Sequence, residues 1–164
     1  MKRISVWSLI IALVIPLLVG GLSATISAKG MANYGTMDKP PLSPPAWLFS
    51  VAWTLLYVMM GLASYFIYDS EAYSFDKSTA MKLYVIQLAM NFLWAIVFFN
   101  WGLYFIAFIW LLVLWCVSIL CAAYFFKINR TAGWLFVPYI AWLTFAAYLN
   151  LGTVILNMGK EKLP

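Results

Sequence analysis

Five tryptophans and two amides stand at depths where the surroundings should be apolar. Trp53, Trp94, Trp110, Trp115 and Trp142 lie well inside long uncharged stretches. An indole N–H in a medium without water needs a hydrogen-bond partner, so this pattern points to a polar, aromatic-lined interior. Gln87, Asn91 and Trp94 follow i, i+4, i+7 spacing and share one helix face. A buried amide is costly unless satisfied and commonly faces the inside of a bundle. Gln87 is expected to pair with another helix, and Asn91 to face a pocket. Trp53 and Tyr57 are one turn apart. Trp134, Pro138, Trp142, Phe145, Ala146 and Leu149 form a stripe at helical periodicity, and Ala146 beside Trp142 leaves the space a flat ligand needs. The chemistry these residues offer is stacking and a few directed hydrogen bonds, the general form of a small-molecule site. Trp53 and Trp142 could also donate electrons.

Other chemistry is excluded by residue type. Histidine is absent, so there is no histidine base and no histidine-ligated zinc or haem iron. All five carboxylates fall in short polar zones or at the C-terminus, which leaves no proton-transfer constellation inside the apolar stretches. Cys116 and Cys121 lie about 140° apart around a helix of ~3.6 residues per turn, poorly placed to pair or to share a metal. The net charge of +5 comes from scattered cations with no basic run, unlike a nucleic-acid-binding surface. No charge sits within a long apolar stretch, which argues against an ion pathway.

These residues must be positioned by membrane-spanning helices. The chain of 164 residues is 66% hydrophobic and 9% charged, too little charge to cover a water-exposed surface. A span needs about 20 apolar residues. The spacing predicts an all-α membrane protein, a single domain of five transmembrane helices near residues 4–28, 46–68, 81–99, 103–126 and 131–158. The 44 uncharged residues from Leu83 to Phe126 exceed one crossing and must fold back, with Asn100-Trp101-Gly102 as the turn. The first segment is longer than the apolar core of a signal peptide. Gly20, Ala24 and Ala28 allow close helix contact, within the bundle or across a dimer. Lys2, Arg3, Lys77, Lys82, Lys127 and Arg130 on one side outnumber Lys29, Lys39, Lys160 and Lys162 on the other, favouring an inside N-terminus. Residues 29–45 form the longest connection, and four prolines between Pro40 and Pro45 stiffen it into a lid over the bundle end.

The order of motifs resembles the translocator protein family, also called tryptophan-rich sensory proteins or peripheral benzodiazepine receptors. The resemblance rests on Lys39-Pro40, Pro44-Pro45, Trp47, Phe49, Trp53-Thr54, Leu56-Tyr57 and Gly61. It continues through Gln87-Leu88, Met90-Asn91, Trp94 and Phe98-Phe99, then Pro138-Tyr139, Trp142, Phe145-Ala146, Leu149-Asn150 and Leu156-Asn157. It implies a five-helix bundle, commonly a homodimer, with a ligand pocket beneath the first loop. It implies tetrapyrroles, protoporphyrin or haem, as ligands rather than required cofactors, in a bacterial cell membrane or, for a eukaryotic chain, the mitochondrial outer membrane. Carried onto this chain, the pocket residues are Tyr34, Trp53, Asn91, Trp94, Trp142, Ala146 and Leu149, with Tyr57 and Phe145 added by spacing. Two positions depart from the family. Leu42 stands where an aromatic residue is common, and no basic residue follows Tyr148 until Lys160, which argues against a sterol motif there.

Three functions fit this reading. The first is binding of a tetrapyrrole for transport, buffering or sensing, with any haem held by its ring and edges. The second is light-dependent oxidative breakdown of protoporphyrin, with Trp53 and Trp142 as the candidate catalytic residues. The third is carriage of a sterol-like lipid.

Overall fold

A computed structural model describes residues 6–157. Its five helices are each long and apolar enough to cross a bilayer, and there is no strand among the described residues. They are α1 (Val6–Gly35), α2 (Ala46–Asp69), α3 (Ser74–Ala95, continued by a π-turn at Ile96–Asn100), α4 (Tyr104–Ile128) and α5 (Arg130–Leu156). The chain is an integral, multi-pass, all-α membrane protein. Lys2, Arg3, Lys160 and Lys162, and the expected helix limits at residues 4 and 158, lie outside the described residues.

Two boundaries differ from expectation by more than a turn, each for a local reason. Helix α1 runs to Gly35 rather than Ala28, because no proline follows Lys29 until Pro40 and Gly30 is held in the helix by its packing on α3's π-turn; the loop shrinks to residues 36–45. Helix α3 begins at Ser74 rather than near 81. Its first turn carries Asp76, whose charge complements the helix N-terminus. At its other end the turn falls where expected, with Gly102 at φ +66°, but is preceded by the π-turn. Asn129 alone separates α4 from α5 and caps the latter, its side chain accepting from the Ala132 N–H at 3.1 Å.

The helices pack in a ring ordered α1, α2, α5, α4, α3 and back to α1. The ring closes through two glycines. A Cβ on Gly30 would collide with the Phe99 carbonyl, and one on Gly61 would lie 2.7 Å from the Ala12 carbonyl. The inward face of α1 is Pro16, Ser23, Ser27 and Gly30, joined by Gly20 against the Tyr57 ring. Ala24 and Ala28 are exposed, so the small-residue stripe is split between bundle and outer surface.

Side-chain hydrogen bonds stitch the ring together. Trp110 Nε1 donates to the Met90 carbonyl at 2.9 Å and ties α4 to α3. Trp115 Nε1 donates to Thr144 Oγ1 at 2.9 Å and ties α4 to α5. Trp94 Nε1 donates to Asn150 Oδ1 at 3.3 Å, while Asn150 Nδ2 donates to the Tyr104 carbonyl at 2.8 Å. Asn150 thus holds α3, α4 and α5 at one point. At the opposite end of the bundle Tyr84, Phe125, Phe136 and Tyr139 interlock, with ring centroids 5.2–6.4 Å apart. That end is solid; the end beneath the first loop is hollow.

Replacing Asn150 with Leu strands the Trp94 N–H and removes the second donor from the Tyr104 carbonyl, which its own helix still pairs. Unpaired buried groups cost about 1–3 kcal/mol each. Asn150→Leu is therefore expected to lower the melting temperature of the purified protein clearly, and Trp94→Phe to lower it less. Equal melting of Asn150→Leu and wild type would contradict this assignment.

Candidate ligand pocket beneath the first loop

The loop is a built lid. Ser43 N–H donates to the Pro40 carbonyl at 3.3 Å and closes a turn with Pro41 and Leu42 at its centre. Leu42 has φ +66°, the left-handed conformation that glycine or asparagine tolerates and a leucine resists. The turn is held from outside. Tyr148 OH donates to the Pro41 carbonyl at 2.9 Å, and Asn157 Nδ2 to the Asp38 carbonyl at 3.0 Å. Pro40 is buried against Gly152. Tyr104 OH donates to Met37 Sδ at 2.9 Å, and the Lys39 ammonium lies 5.4 Å from the Tyr34 ring centroid. Helix α5 supplies most of these anchors.

Two adjoining cavities lie below the lid. One, of about 230 Å³, is set between α1, α2 and α3, with Gly20, Ser27, Trp53, Tyr57, Asn91 and Phe99 among its walls. The other, of about 120 Å³, is directly under the loop, against Tyr34, Lys39, Pro44, Ala146, Leu149 and Asn150. Met31, Phe49, Trp94 and Phe99 border both. The rings of Phe49 and Phe99 therefore form the partition, with centroids 6.4 Å apart.

The predicted residues divide between these spaces. Trp53, Tyr57, Asn91 and Trp94 line the first; Tyr34, Trp94, Ala146 and Leu149 line the second. Trp142 lines neither. It stands behind the partition, 6.0 Å from Phe49 and 6.3 Å from Trp53 between ring centroids. Its Nε1 is buried and has no hydrogen-bond partner. Phe145 is farther out, between Trp142 and Tyr148 at 5.7 and 6.2 Å. The α5 stripe splits, with Trp134 and Pro138 facing outward while Tyr139, Ala146 and Asn150 face inward. Asn91 is the amide at the cavity wall, its Nδ2 donating to Tyr57 OH at 3.2 Å. Gln87 sits one turn deeper and reaches Met60 Sδ on α2 at 3.8 Å, the interhelical pairing its position suggested.

Spacing alone did not single out Phe49, Phe99, Met31 or Asn150. Phe49 is one turn before Trp53 and extends the same face, so its signal was present. Phe99 was hidden by the π-turn. Consecutive residues of a regular helix diverge by about 100°, yet Phe98 and Phe99 both contact Tyr34, at 5.3 and 5.7 Å. The extra residue in the turn brings both inward. The walls as a whole are aromatic and apolar, with few polar atoms aimed inward. Among the described residues no group of three or more His, Cys, Asp or Glu is placed to hold a metal ion.

The chain matches the TspO/MBR family model over residues 12–156. It is 32% identical over 142 residues to the tryptophan-rich protein TspO of Chlorobaculum tepidum, covering 86% of this chain and 90% of that one. It is 36% identical over 129 residues to a tryptophan-rich sensory protein of Cereibacter sphaeroides, covering 79% of each. It is 34% identical over 145 residues to the translocator protein of Ovis aries, covering 87% of this chain and 86% of that one. With its five spanning helices and its motifs on α2, α3 and α5, the chain belongs to the TspO/MBR family.

Proposed function

We propose that this protein binds a tetrapyrrole, protoporphyrin or haem, in the space beneath the first loop, for transport, buffering or sensing. One observation carries the reading: two aromatic-walled cavities share a partition made of side chains alone. Small-molecule sites typically occupy roughly 300–1,000 Å³. Neither cavity reaches that range by itself, but the two together enter it once Phe49 and Phe99 swing aside. A flat macrocycle would then have Trp53 and Trp94 at its faces and Asn91 near its edge. Moving Phe49 also uncovers Trp142, whose indole N–H would donate to a carboxylate or ring nitrogen of the ligand. Haem would be held the same way, by its ring and edges.

The lid accounts for exchange. The cavity directly under the loop is roofed by Pro44 and Lys39, so a ligand passing beneath the loop must loosen Tyr148 from Pro41 or Asn157 from Asp38. The lysine ammonium above Tyr34 suits the propionates of a porphyrin.

The second reading, photo-oxidative breakdown of bound protoporphyrin, is favoured by one arrangement. Trp53 stacks on Tyr57 at 5.5 Å and meets Trp142 edge-on at 6.3 Å. An excited porphyrin would take one electron from Trp53 and pass it to dioxygen, giving superoxide; the oxidised indole would recover its electron from the porphyrin, and the ring radical and superoxide would combine in the ring-opening oxidation. Trp53 and Trp142 are the candidate residues for that step.

Titration of purified protein with protoporphyrin in the dark tests the binding reading. Saturable quenching of tryptophan fluorescence is expected, with Trp142→Ala weakening affinity by about tenfold, or about 1.4 kcal/mol. Absence of saturable quenching in the wild type would sink it. Phe49→Ala removes part of the partition and is expected to speed association about tenfold, read by stopped-flow; an unchanged rate would mean the partition does not limit entry. Under light, Trp53→Phe together with Trp142→Phe should abolish accelerated decay of the bound porphyrin. Decay at the wild-type rate would rule out the indole mechanism while leaving binding intact.

A further inference from the structure

One row of rings leaves the pocket wall and ends at the surface. Trp53, on the wall of the cavity between α1, α2 and α3, lies 6.3 Å from Trp142 between ring centroids. Phe145 follows at 5.7 Å from Trp142, and Tyr148 stacks on Phe145 at 6.2 Å. Trp142, Phe145 and Tyr148 are spaced i, i+3, i+6, so they form one line along α5. Tyr148 is 43% exposed, and its hydroxyl donates to the Pro41 carbonyl at 2.9 Å, at the level of the loop. As a brace for the loop, this side chain needs only its hydroxyl. Bracing does not account for the unbroken line of rings behind it.

The line matters because of where a phenol can lose a proton. A tyrosine that gives up an electron must also release its hydroxyl proton, since a phenol radical cation is a very strong acid. Two tyrosines stand closer to Trp53 than Tyr148 does: Tyr57 at 5.5 Å and Tyr139 at 6.4 Å. Neither has a base beside it. The Tyr57 hydroxyl faces the donating amide of Asn91, and the Tyr139 hydroxyl is fully buried without a partner. Histidine is absent, and among the described residues the carboxylates stand at helix ends or in the connections. Trp142 Nε1 also has no protein partner to take its proton. An indole radical cation is a far weaker acid than that of a phenol and can persist with its proton in place. Of the tyrosines on these rings, Tyr148 is the one with its hydroxyl at the surface, where water accepts the proton.

We propose, resting on the photo-oxidative reading, that Phe145 and Tyr148 are an exit for the oxidising equivalent formed at Trp53. The excited porphyrin takes one electron from Trp53 and passes it to dioxygen as superoxide. Trp142 refills Trp53. Tyr148 refills Trp142 across the Phe145 ring, which bridges without being oxidised, and releases its phenolic proton to water. In sum, one tyrosine and one dioxygen become a neutral tyrosyl radical, superoxide and a proton, while the porphyrin and both indoles are restored. A soluble donor of the ascorbate or thiol class then returns a hydrogen atom to the phenoxyl oxygen. This route competes with return of an electron from the porphyrin to the indole. Tyr148 therefore spares the ligand, and sets how often an excitation ends in ring opening.

The test is electron paramagnetic resonance of the full chain with protoporphyrin bound, illuminated in air and frozen, beside a sample made with ring-deuterated tyrosine. Decay of the porphyrin absorbance in ascorbate is followed in parallel. The wild type should give a radical signal that narrows on tyrosine deuteration. Tyr148→Phe should lose that signal, show an indole radical instead, and consume porphyrin severalfold faster. Asn157→Leu frees the other brace of the loop but keeps the phenol, and should retain the tyrosyl signal. Saturable fluorescence quenching in each variant shows that it folds and is loaded. A tyrosyl signal that survives Tyr148→Phe would place the radical on another ring and overturn the proposal, as would its loss in Asn157→Leu. Porphyrin decay in the wild type with an indole radical alone would remove the exit and leave the photo-oxidative reading standing. Bound porphyrin that decays no faster than free porphyrin, with no protein radical, would remove both.

Discussion

A membrane interior offers no water to a stranded polar group, and this constraint organises the molecule. Each N–H or amide carried across the bilayer must find its partner inside the protein. Trp94, Trp110 and Trp115 do so across helix–helix contacts, and each bond ties one helix to the next. Asn150 accepts from one helix and donates to another, so it locks three of them where the bundle begins to open. Buried polar atoms without a partner occur at the packed end too, among them the Tyr84 and Tyr139 hydroxyls, but two deep groups bear on the pocket. Asn91 meets only the Tyr57 hydroxyl at the cavity wall, and the Trp142 N–H is buried and unpaired. Trp110 and Trp115 serve only to tie helices, Trp94 both ties α3 to α5 and borders the cavities, and Trp142 keeps a buried, unpaired N–H.

The asymmetry between the two ends follows from side-chain volume. Away from the loop, Tyr84, Phe125, Phe136 and Tyr139 are large and mutually packed, and the centre is filled. Toward the loop, α1 presents Gly20, Ser23, Ser27 and Gly30, and α5 presents Ala146. Small residues on opposite walls cannot fill the space between them, so the aromatic rings of α2 and α3 line a hollow instead of closing it. The proline-rich loop then covers that hollow as a braced roof, with Pro40 seated on Gly152 and the Pro41 carbonyl held by Tyr148. The strained Leu42 is the cost of turning so tightly.

Much of this was legible in the residues. Charge placement and stretch length located all five helices, and the Asn100-Trp101-Gly102 turn fell where the long apolar stretch had to reverse. The i, i+4, i+7 pattern of Gln87, Asn91 and Trp94 put all three on the buried face of α3. What a helical wheel could not show was geometry that departs from a regular helix. The π-turn brings both Phe98 and Phe99 to Tyr34, and the wheel assumes it away. The α5 stripe drawn through Trp134 and Pro138 drifts off the buried face, because apolar residues in a membrane helix face lipid as readily as they face protein. For the same reason Gly20, Ala24 and Ala28 looked like one contact surface, although Gly20 packs on Tyr57, Ala24 borders the cavity between α1, α2 and α3, and Ala28 is exposed.

A flat tetrapyrrole is proposed to lie beneath the first loop with Phe49 displaced. An experimental structure of the protein with protoporphyrin bound tests it most directly. Ring density is expected to span both cavities, between Trp53 and Trp94, with the Trp142 N–H within hydrogen-bonding distance of the ligand. Ligand density only on the outer surface, with Phe49 still packed against Phe99 and Trp142, would contradict it.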